Sequence, residues 1–137
     1  MPRLLAIDYG SKRCGIAVTD PLQIIATALE TVRTHDLPDF LKKYATQENI
    51  EAFIIGMPKK LDNTDSENAA RVTAFIKTLK KSFPDIPVHT QDERFTSSMA
   101  LQSMIASGTK KSDRREKGNI DKISATIILQ SYMESRR

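Results

Sequence analysis

The sequence has few of the residues that crosslink secreted proteins or bind soft metals. Its 137 residues include one cysteine and two histidines. Cys14 has no internal disulfide partner, so we expect a reducing, cytoplasmic location. His35 and His89 are not spaced as metal ligands, and we expect structural or surface roles for both.

Long apolar runs are also missing. The longest is far shorter than the roughly 20 residues of a membrane-spanning helix. The start, Met-Pro-Arg, leads directly into a predicted strand and has no signal-peptide pattern, so no membrane association is expected. A ribonucleoprotein aromatic motif, a zinc finger and a helix-turn-helix are likewise absent from the sequence, and base-specific readout of nucleic acid is therefore not predicted.

The composition is typical of one globular unit. Hydrophobic residues make up 39% and charged residues 28% of the chain, with a net charge of +4. The length suits one hydrophobic core, and no repeat or linker indicates a second, so we expect a single domain over residues 1–137. The positive charge favours polyanionic partners.

Hydrophobic periodicity predicts an α/β fold. The predicted strands cover residues 3–8, 14–20, 24–32, 52–56 and 88–92. The predicted helices cover residues 36–47, 66–83, 96–107 and 121 onward, and residues 108–120 form a basic loop. The order β-β-β-α-β-α-β-α-α indicates a five-stranded mixed sheet, antiparallel at its start, with helices on both faces.

Carboxylates lie at three boundaries of these elements. Asp8 ends the first strand, Asp92 and Glu93 end the fifth, and Asp121 begins the last helix. Ligands of such sheets gather at the carboxyl ends of the parallel strands, so these acids can meet. Two carboxylates about 4 Å apart repel by about 4 kcal/mol at an effective dielectric constant of 20, and a cluster therefore needs a cation or a proton.

One or two Mg²⁺ or Mn²⁺ ions suit hard oxygen ligands and can promote hydrolysis of a phosphodiester. Each acid also has a structural interpretation. Asp8 can form a turn, Asp121 can cap its helix, and the pair Asp92-Glu93 can be solvated. Spacing alone leaves these alternatives open, although the three positions together favour a site.

Four motifs resemble the YqgF family, also called RuvX-like. They are Asp8-Tyr-Gly-Ser-Lys-Arg-Cys-Gly-Ile-Ala, Gly56-Met-Pro, Asp92-Glu-Arg-Phe-Thr-Ser, and Asp121-Lys-Ile-Ser-Ala with the following Ile-Leu-Gln. They occur in the family's order along almost the whole chain. The resemblance implies a ribonuclease H-like fold and a nuclease, described for the family as a Holliday junction resolvase or as the enzyme that matures the 5′ end of precursor 16S ribosomal RNA.

The resemblance also implies that Asp8, Glu93 and Asp121 are the catalytic, metal-binding acids. One departure concerns the fourth strand. Related resolvases commonly end it with an acid, whereas this chain has Gly56-Met57-Pro58. Glu93 on the fifth strand must then substitute, which weakens the transfer of junction-resolving activity.

Basic residues surround the predicted site. The expected nucleic-acid contacts are Lys12, Arg13, Arg94, Lys110, Lys111, Arg114, Arg115 and Lys117. Arginine suits phosphate geometrically, and such contacts make binding sensitive to salt. Ion pairing is the alternative for Arg13 and Arg94, and a solvated loop is the alternative for the basic run.

Three functions compete. The first is a metal-dependent nuclease acting on structured nucleic acid, with precursor 16S ribosomal RNA placed ahead of branched DNA. The second is a non-catalytic, regulatory nucleic-acid-binding module. A phosphotransferase of the sugar-kinase and actin type ranks last, because it needs two lobes and 137 residues provide one. A homodimer stays open.

Overall fold

The computed structural model describes residues 2–57, 67–92 and 117–135. Its strands are β1 (Arg3–Tyr9), β2 (Arg13–Thr19), β3 (Ala26–Arg33), β4 (Ile50–Met57) and β5 (Val88–Asp92). A 3₁₀ turn (Thr34–Asp36) precedes the helices α1 (Leu37–Gln47), α2 (Glu67–Ser82) and α3 (Lys117–Ser135). The predicted helix over 96–107 lies outside the described residues.

The five strands form one mixed sheet in the order β3-β2-β1-β4-β5. β2 is antiparallel to both β1 and β3, whereas β1, β4 and β5 are parallel. Four strands therefore run in the same direction, and β1, β3, β4 and β5 all end at one side of the sheet, here called the carboxyl edge. The predicted antiparallel start and mixed sheet are confirmed.

The hydrophobic core has two layers, one on each face of the sheet. Leu5 and Ile7 of β1 pack beneath α1 and α2, whereas Leu4 and Ala6 pack beneath α3. All four are at most 3% exposed. Alternation along the strand thus gives β1 two buried faces, and the prediction of helices on both faces is confirmed. We name these the α1–α2 face and the α3 face.

The start of α3 differs from the sequence prediction. The helix begins at Lys117, four residues before the expected start at Asp121. The loop predicted over 108–120 is therefore wrong for its last four residues, and the rest of it lies outside the described part. Gly118 and Asn119 are weak helix formers, so helix propensity does not predict this first turn of α3.

The loop between β2 and β3 is organised by one acid. The Asp20 carboxylate accepts the backbone N–H of Leu22 at 3.2 Å and those of Ile24 and Ile25 at 2.7 Å. These bonds hold a loop in which Gln23 has a φ of 57° and in which the side chains of Leu22, Ile24 and Ile25 are exposed. The N–H of Ile25, together with those of Ile24 and Leu22, lowers the pKa of Asp20.

None of the helices in the described part of the chain is long and apolar enough to cross a membrane.

Acid should remove the contribution of Asp20 to stability. Because its folded pKa is lowered, that contribution is present above the carboxyl's ordinary pKa and is lost as the pH falls through the lowered value. We expect Asp20→Asn to unfold at a lower temperature than wild type at pH 7. Thermal unfolding from pH 7 to pH 2 should show this gap closing. An Asp85→Asn control, in the exposed loop before β5, should unfold close to the wild-type temperature at pH 7.

Candidate functional site

Asp8 lies where the buried part of β1 meets solvent. Leu4 to Ile7 are buried, and Asp8 is the first half-exposed residue after them. Alternation places it on the same face as Leu4 and Ala6, which is the α3 face. The carboxylate is therefore held at the carboxyl edge by a strand that cannot shift without exposing its core.

A row of five residues crosses the sheet at Asp8. Asp8 pairs with Gly15 of β2, and Gly15 pairs with Thr31 of β3. On the other side, Ile7 pairs with Ile55 of the parallel strand β4, so the next residues of the two strands, Asp8 and Gly56, lie side by side. Gly56 in turn pairs with Gln91 of β5. Residues in one row share a face. Asp8 is thus flanked on both sides by glycine, so neither neighbouring strand places a side chain directly beside its carboxylate.

Tyr9 anchors the end of β1 on the opposite face. Its ring stacks on that of Phe75 from α2, with the centroids 4.6 Å apart. Burial raises the pKa of the Tyr9 phenol, as does the nearby Cys14, while Arg71 opposes them. Because Tyr9 directly follows Asp8, this stack restrains the backbone that carries the acid.

The β1–β2 turn is tied to the end of β3. The Thr34 hydroxyl donates to the Gly10 carbonyl at 2.6 Å, and the Thr34 N–H donates to the Lys12 carbonyl at 3.0 Å. The buried Cys14 thiol lies 3.5 Å from the same hydroxyl. A Cβ on Gly10 would overlap the carbonyl oxygen of Arg13. The turn therefore needs glycine at this position.

The structure places two predicted basic residues beside Asp8. Lys12 lies in the turn and is exposed, and Arg13 begins β2 on the α3 face, two residues before Gly15. Arg13 pairs directly with Arg33, the last residue of β3. Arg33 is not among the predicted basic contacts, because the predicted strand ends one residue earlier and only the register brings Arg33 to this edge.

Most of the other predicted site residues lie outside the described part of the chain. These are Glu93, Arg94, Lys110, Lys111, Arg114 and Arg115. The backbone of Lys117 and Asp121 is described, and both lie in the first turns of α3 rather than in a loop or at a helix cap. Among the side chains that are described, no three His, Cys, Asp or Glu residues gather into a metal site.

The direction of α3 brings its first turns toward the carboxyl edge. Met133, near its end, lines a cavity with Ile24 and Ala26 at the opposite edge of the sheet. Ala125, two turns earlier, is fully buried on the same face as Ala6. The start of α3 therefore lies toward the carboxyl edge, and its end lies toward the opposite edge. Asp121 lies one turn before Ala125, so the interpretation of this acid as an N-cap is wrong.

Comparison with known proteins identifies the family. A family model described as "RuvX: Holliday junction resolvase" matches residues 2–135. The chain belongs to the RuvX family. A RuvX relative from Phocaeicola vulgatus is 56% identical over all of this chain and 99% of its own length. Another, from Flavobacterium johnsoniae, is 53% identical over 100% of this chain and 99% of its own length. Both are named "Putative pre-16S rRNA nuclease".

Solved structures agree with the fold. The Fowlpox virus resolvase in complex with Holliday junction DNA matches with a TM-score of 0.64 at 14% identity, covering 98% of both chains. The T. thermophilus RuvC complex with a Holliday junction matches with a TM-score of 0.61 at 17% identity, covering 99% of this chain and 96% of that one. The predicted ribonuclease H-like α/β fold and the predicted RuvX-type nuclease are confirmed. The phosphotransferase alternative is dropped.

Gly10→Ala should destabilise the protein. The added methyl group meets backbone rather than a movable side chain, so we expect the free energy of unfolding to fall by about 1–3 kcal/mol. Urea unfolding measures the change. Ser11→Ala, at the exposed neighbouring position, is the control and should stay within about 0.5 kcal/mol of wild type. Equal stability of the two variants would contradict the turn geometry.

Thr34→Val should test the bond between the turn and β3. Valine keeps the shape but removes the hydroxyl donor at 2.6 Å from the Gly10 carbonyl and leaves it the weak Cys14 thiol donor at 3.9 Å, so we expect a loss of about 1 kcal/mol in the free energy of unfolding. Thr27→Val, on the exposed surface of β3, is the matched control and should be near neutral. A loss of the same size in both variants would exclude a specific role for the Thr34 hydroxyl.

Proposed function

We propose that this RuvX chain hydrolyses a phosphodiester of precursor 16S ribosomal RNA and so matures its 5′ end. The observation that carries this proposal is the identity of 53–56% over full length with relatives named for that substrate. The placement of Asp8 supports the chemistry. A carboxylate at the carboxyl edge, with glycine on either side, leaves a phosphodiester room to approach the sheet.

We propose that Asp8, Glu93 and Asp121 form the catalytic group. β5 ends at Asp92 on the carboxyl edge, and Glu93 directly follows Asp92 in the sequence. The first turns of α3 approach the same edge on the face of Asp8. The backbone of Asp121 lies one helical turn before the buried Ala125 in α3, which supports its place in this group.

The donor set fits a hard divalent cation. Carboxylate oxygens are ligands that Mg²⁺ and Mn²⁺ prefer, and the two glycines flanking Asp8 leave space for an ion and its waters. We propose that the three acids hold one or two such ions. Held by these carboxylates, such an ion would provide Lewis-acid chemistry, namely activation of water and stabilisation of the leaving oxygen.

The chain's own residues then have separate tasks. The three carboxylates would hold the divalent cation in a fixed position, and its positive charge would balance the negative charge of the scissile phosphate. Lys12 and Arg13 lie at the same edge and can hold phosphate oxygens of the substrate strand. Arg94, Lys110, Lys111, Arg114, Arg115 and Lys117 remain proposed contacts to the nucleic-acid backbone. None of these contacts reads base identity, so recognition depends on substrate shape.

Resolution of Holliday junctions is the second candidate, favoured by the description of the matching family model. The position beside Asp8 on β4 is Gly56 rather than an acid, and this absence argues for a different acid geometry from that of the related resolvases. We also propose that residues 1–137 form a single nuclease domain, that the protein is cytoplasmic and that it forms a homodimer.

Cleavage assays should separate these candidates. The substrates are precursor RNA spanning the 5′ end of 16S ribosomal RNA, a four-way DNA junction and single strands, each with Mg²⁺, Mn²⁺ or EDTA. We expect wild type to cut the precursor RNA only with metal. Asp8→Asn should lower the rate by at least about 100-fold, since even the outer-shell partners of metal ligands contribute 10- to 100-fold.

Asp39→Asn is the matched control, because it makes the same change at an exposed acid on α1. It should cut like wild type. Full activity of Asp8→Asn would reject the catalytic assignment. Preferred cutting of the DNA junction would favour the second candidate, and binding without any metal-dependent cutting would favour a regulatory module.

A further inference from the structure

Arg13 and Arg33 form a like-charged pair across two strands. They are direct partners in the antiparallel β2–β3 ladder, which places their Cβ atoms about 5 Å apart on the same face. Like charges directly opposite each other in a sheet are destabilising. Two arginines are therefore carried side by side at this end of the ladder, and a pair of guanidinium groups suits an anion such as phosphate.

This pair belongs to the side of the sheet that carries Asp8. Arg33 ends β3 at the carboxyl edge, and the row Thr31, Gly15 and Asp8 leads from β3 to the acid on the α3 face. From strand spacing and rise, the Cα of Arg33 lies about 12 Å from that of Asp8. An extended arginine at this distance can contact phosphates that neighbour a scissile phosphate at Asp8.

Arg33 is available for such a contact. The residue is exposed. Within the described ranges no carboxylate forms an ion pair with it, and Asp36, the acid that follows it most closely in sequence, lies 3.3 Å from His35 instead. The acidic Glu30 of β3 is paired with Ile16, one row from Thr31, so alternation directs it to the opposite face.

The backbone that carries these cations is held rigidly. Thr34, the residue after Arg33, donates to the carbonyls of Gly10 and Lys12 in the β1–β2 turn. These hydrogen bonds fix the backbone positions of Lys12, Arg13 and Arg33 relative to one another. Such preorganisation lowers the cost of binding a multiply charged ligand.

We infer that Arg33, together with Lys12 and Arg13, forms a phosphate clamp that holds the substrate strand on the β3 side of Asp8. The ligand is the phosphodiester backbone of RNA or DNA. The inference rests on the proposed function. It adds Arg33 to the binding residues, and it directs the substrate strand from Asp8 across Gly15 toward β3. Thr34 is its positioning residue.

Binding without cleavage tests the clamp. All proteins carry Asp8→Asn, and fluorescence anisotropy measures the affinity for the precursor RNA and for a four-way DNA junction from 50 to 300 mM KCl. Adding Arg33→Gln should raise Kd about tenfold, which corresponds to losing one charged hydrogen bond. It should also lower the magnitude of the slope of log K against log[salt] by about 1. Arg33→Lys should preserve the slope.

Lys80→Gln is the charge-matched control, because Lys80 is exposed near the end of α2, away from the carboxyl edge. It should leave the affinity and the slope unchanged. If Arg33→Gln behaves like its parent, or if Lys80→Gln has the same effect, the clamp is rejected. Metal-dependent cleavage by the wild-type protein would then still uphold the proposed function. Failure of the parent to bind either probe would reject both the clamp and the nucleic-acid proposal.

Discussion

The burial of β1 at the centre of the sheet is the constraint on which the site depends. Its apolar residues are enclosed by α1 and α2 on one face and by α3 on the other, so the strand cannot slide by one residue without turning its core outward. Asp8 is the point where this buried strand reaches solvent. A charge is thereby fixed at the carboxyl edge, with the stability of the whole core opposing its displacement.

The surroundings of Asp8 follow from the same sheet. Gly15 and Gly56 occupy the flanking positions of its row and keep the surface open, and the turn that follows β1 is tight enough to need Gly10. Thr34 joins that turn to the end of β3, so the acid and the basic residues are held by one hydrogen-bonded frame. Basic residues held at a fixed distance from Asp8 suit a nucleic-acid backbone, because its phosphates are negatively charged and regularly spaced.

Much of this was predictable from sequence. The continuous apolar run before Asp8 predicts a doubly buried strand, and the alternation of strands and helices predicts the mixed sheet. Arg33 was not predictable, because its pairing with Arg13 depends on the register between β2 and β3, which includes a bulge. The start of α3 was missed because Gly118 and Asn119 oppose helix formation locally. For the acids, local sequence places Asp8 near the end of β1 but puts Asp121 at a helix start, whereas α3 begins four residues earlier. A site formed by acids this far apart in sequence depends on tertiary structure.

The central claim is that folding gathers distant acids into a site that requires a divalent cation. A crystal structure of the wild-type protein grown with Mn²⁺, with the metal located by anomalous scattering, tests this most directly. We expect Mn²⁺ to be coordinated by carboxylate oxygens of Asp8, Glu93 and Asp121 at the carboxyl edge, on the α3 face. Mn²⁺ bound elsewhere, or these three carboxylates lying on separate surfaces, would contradict it.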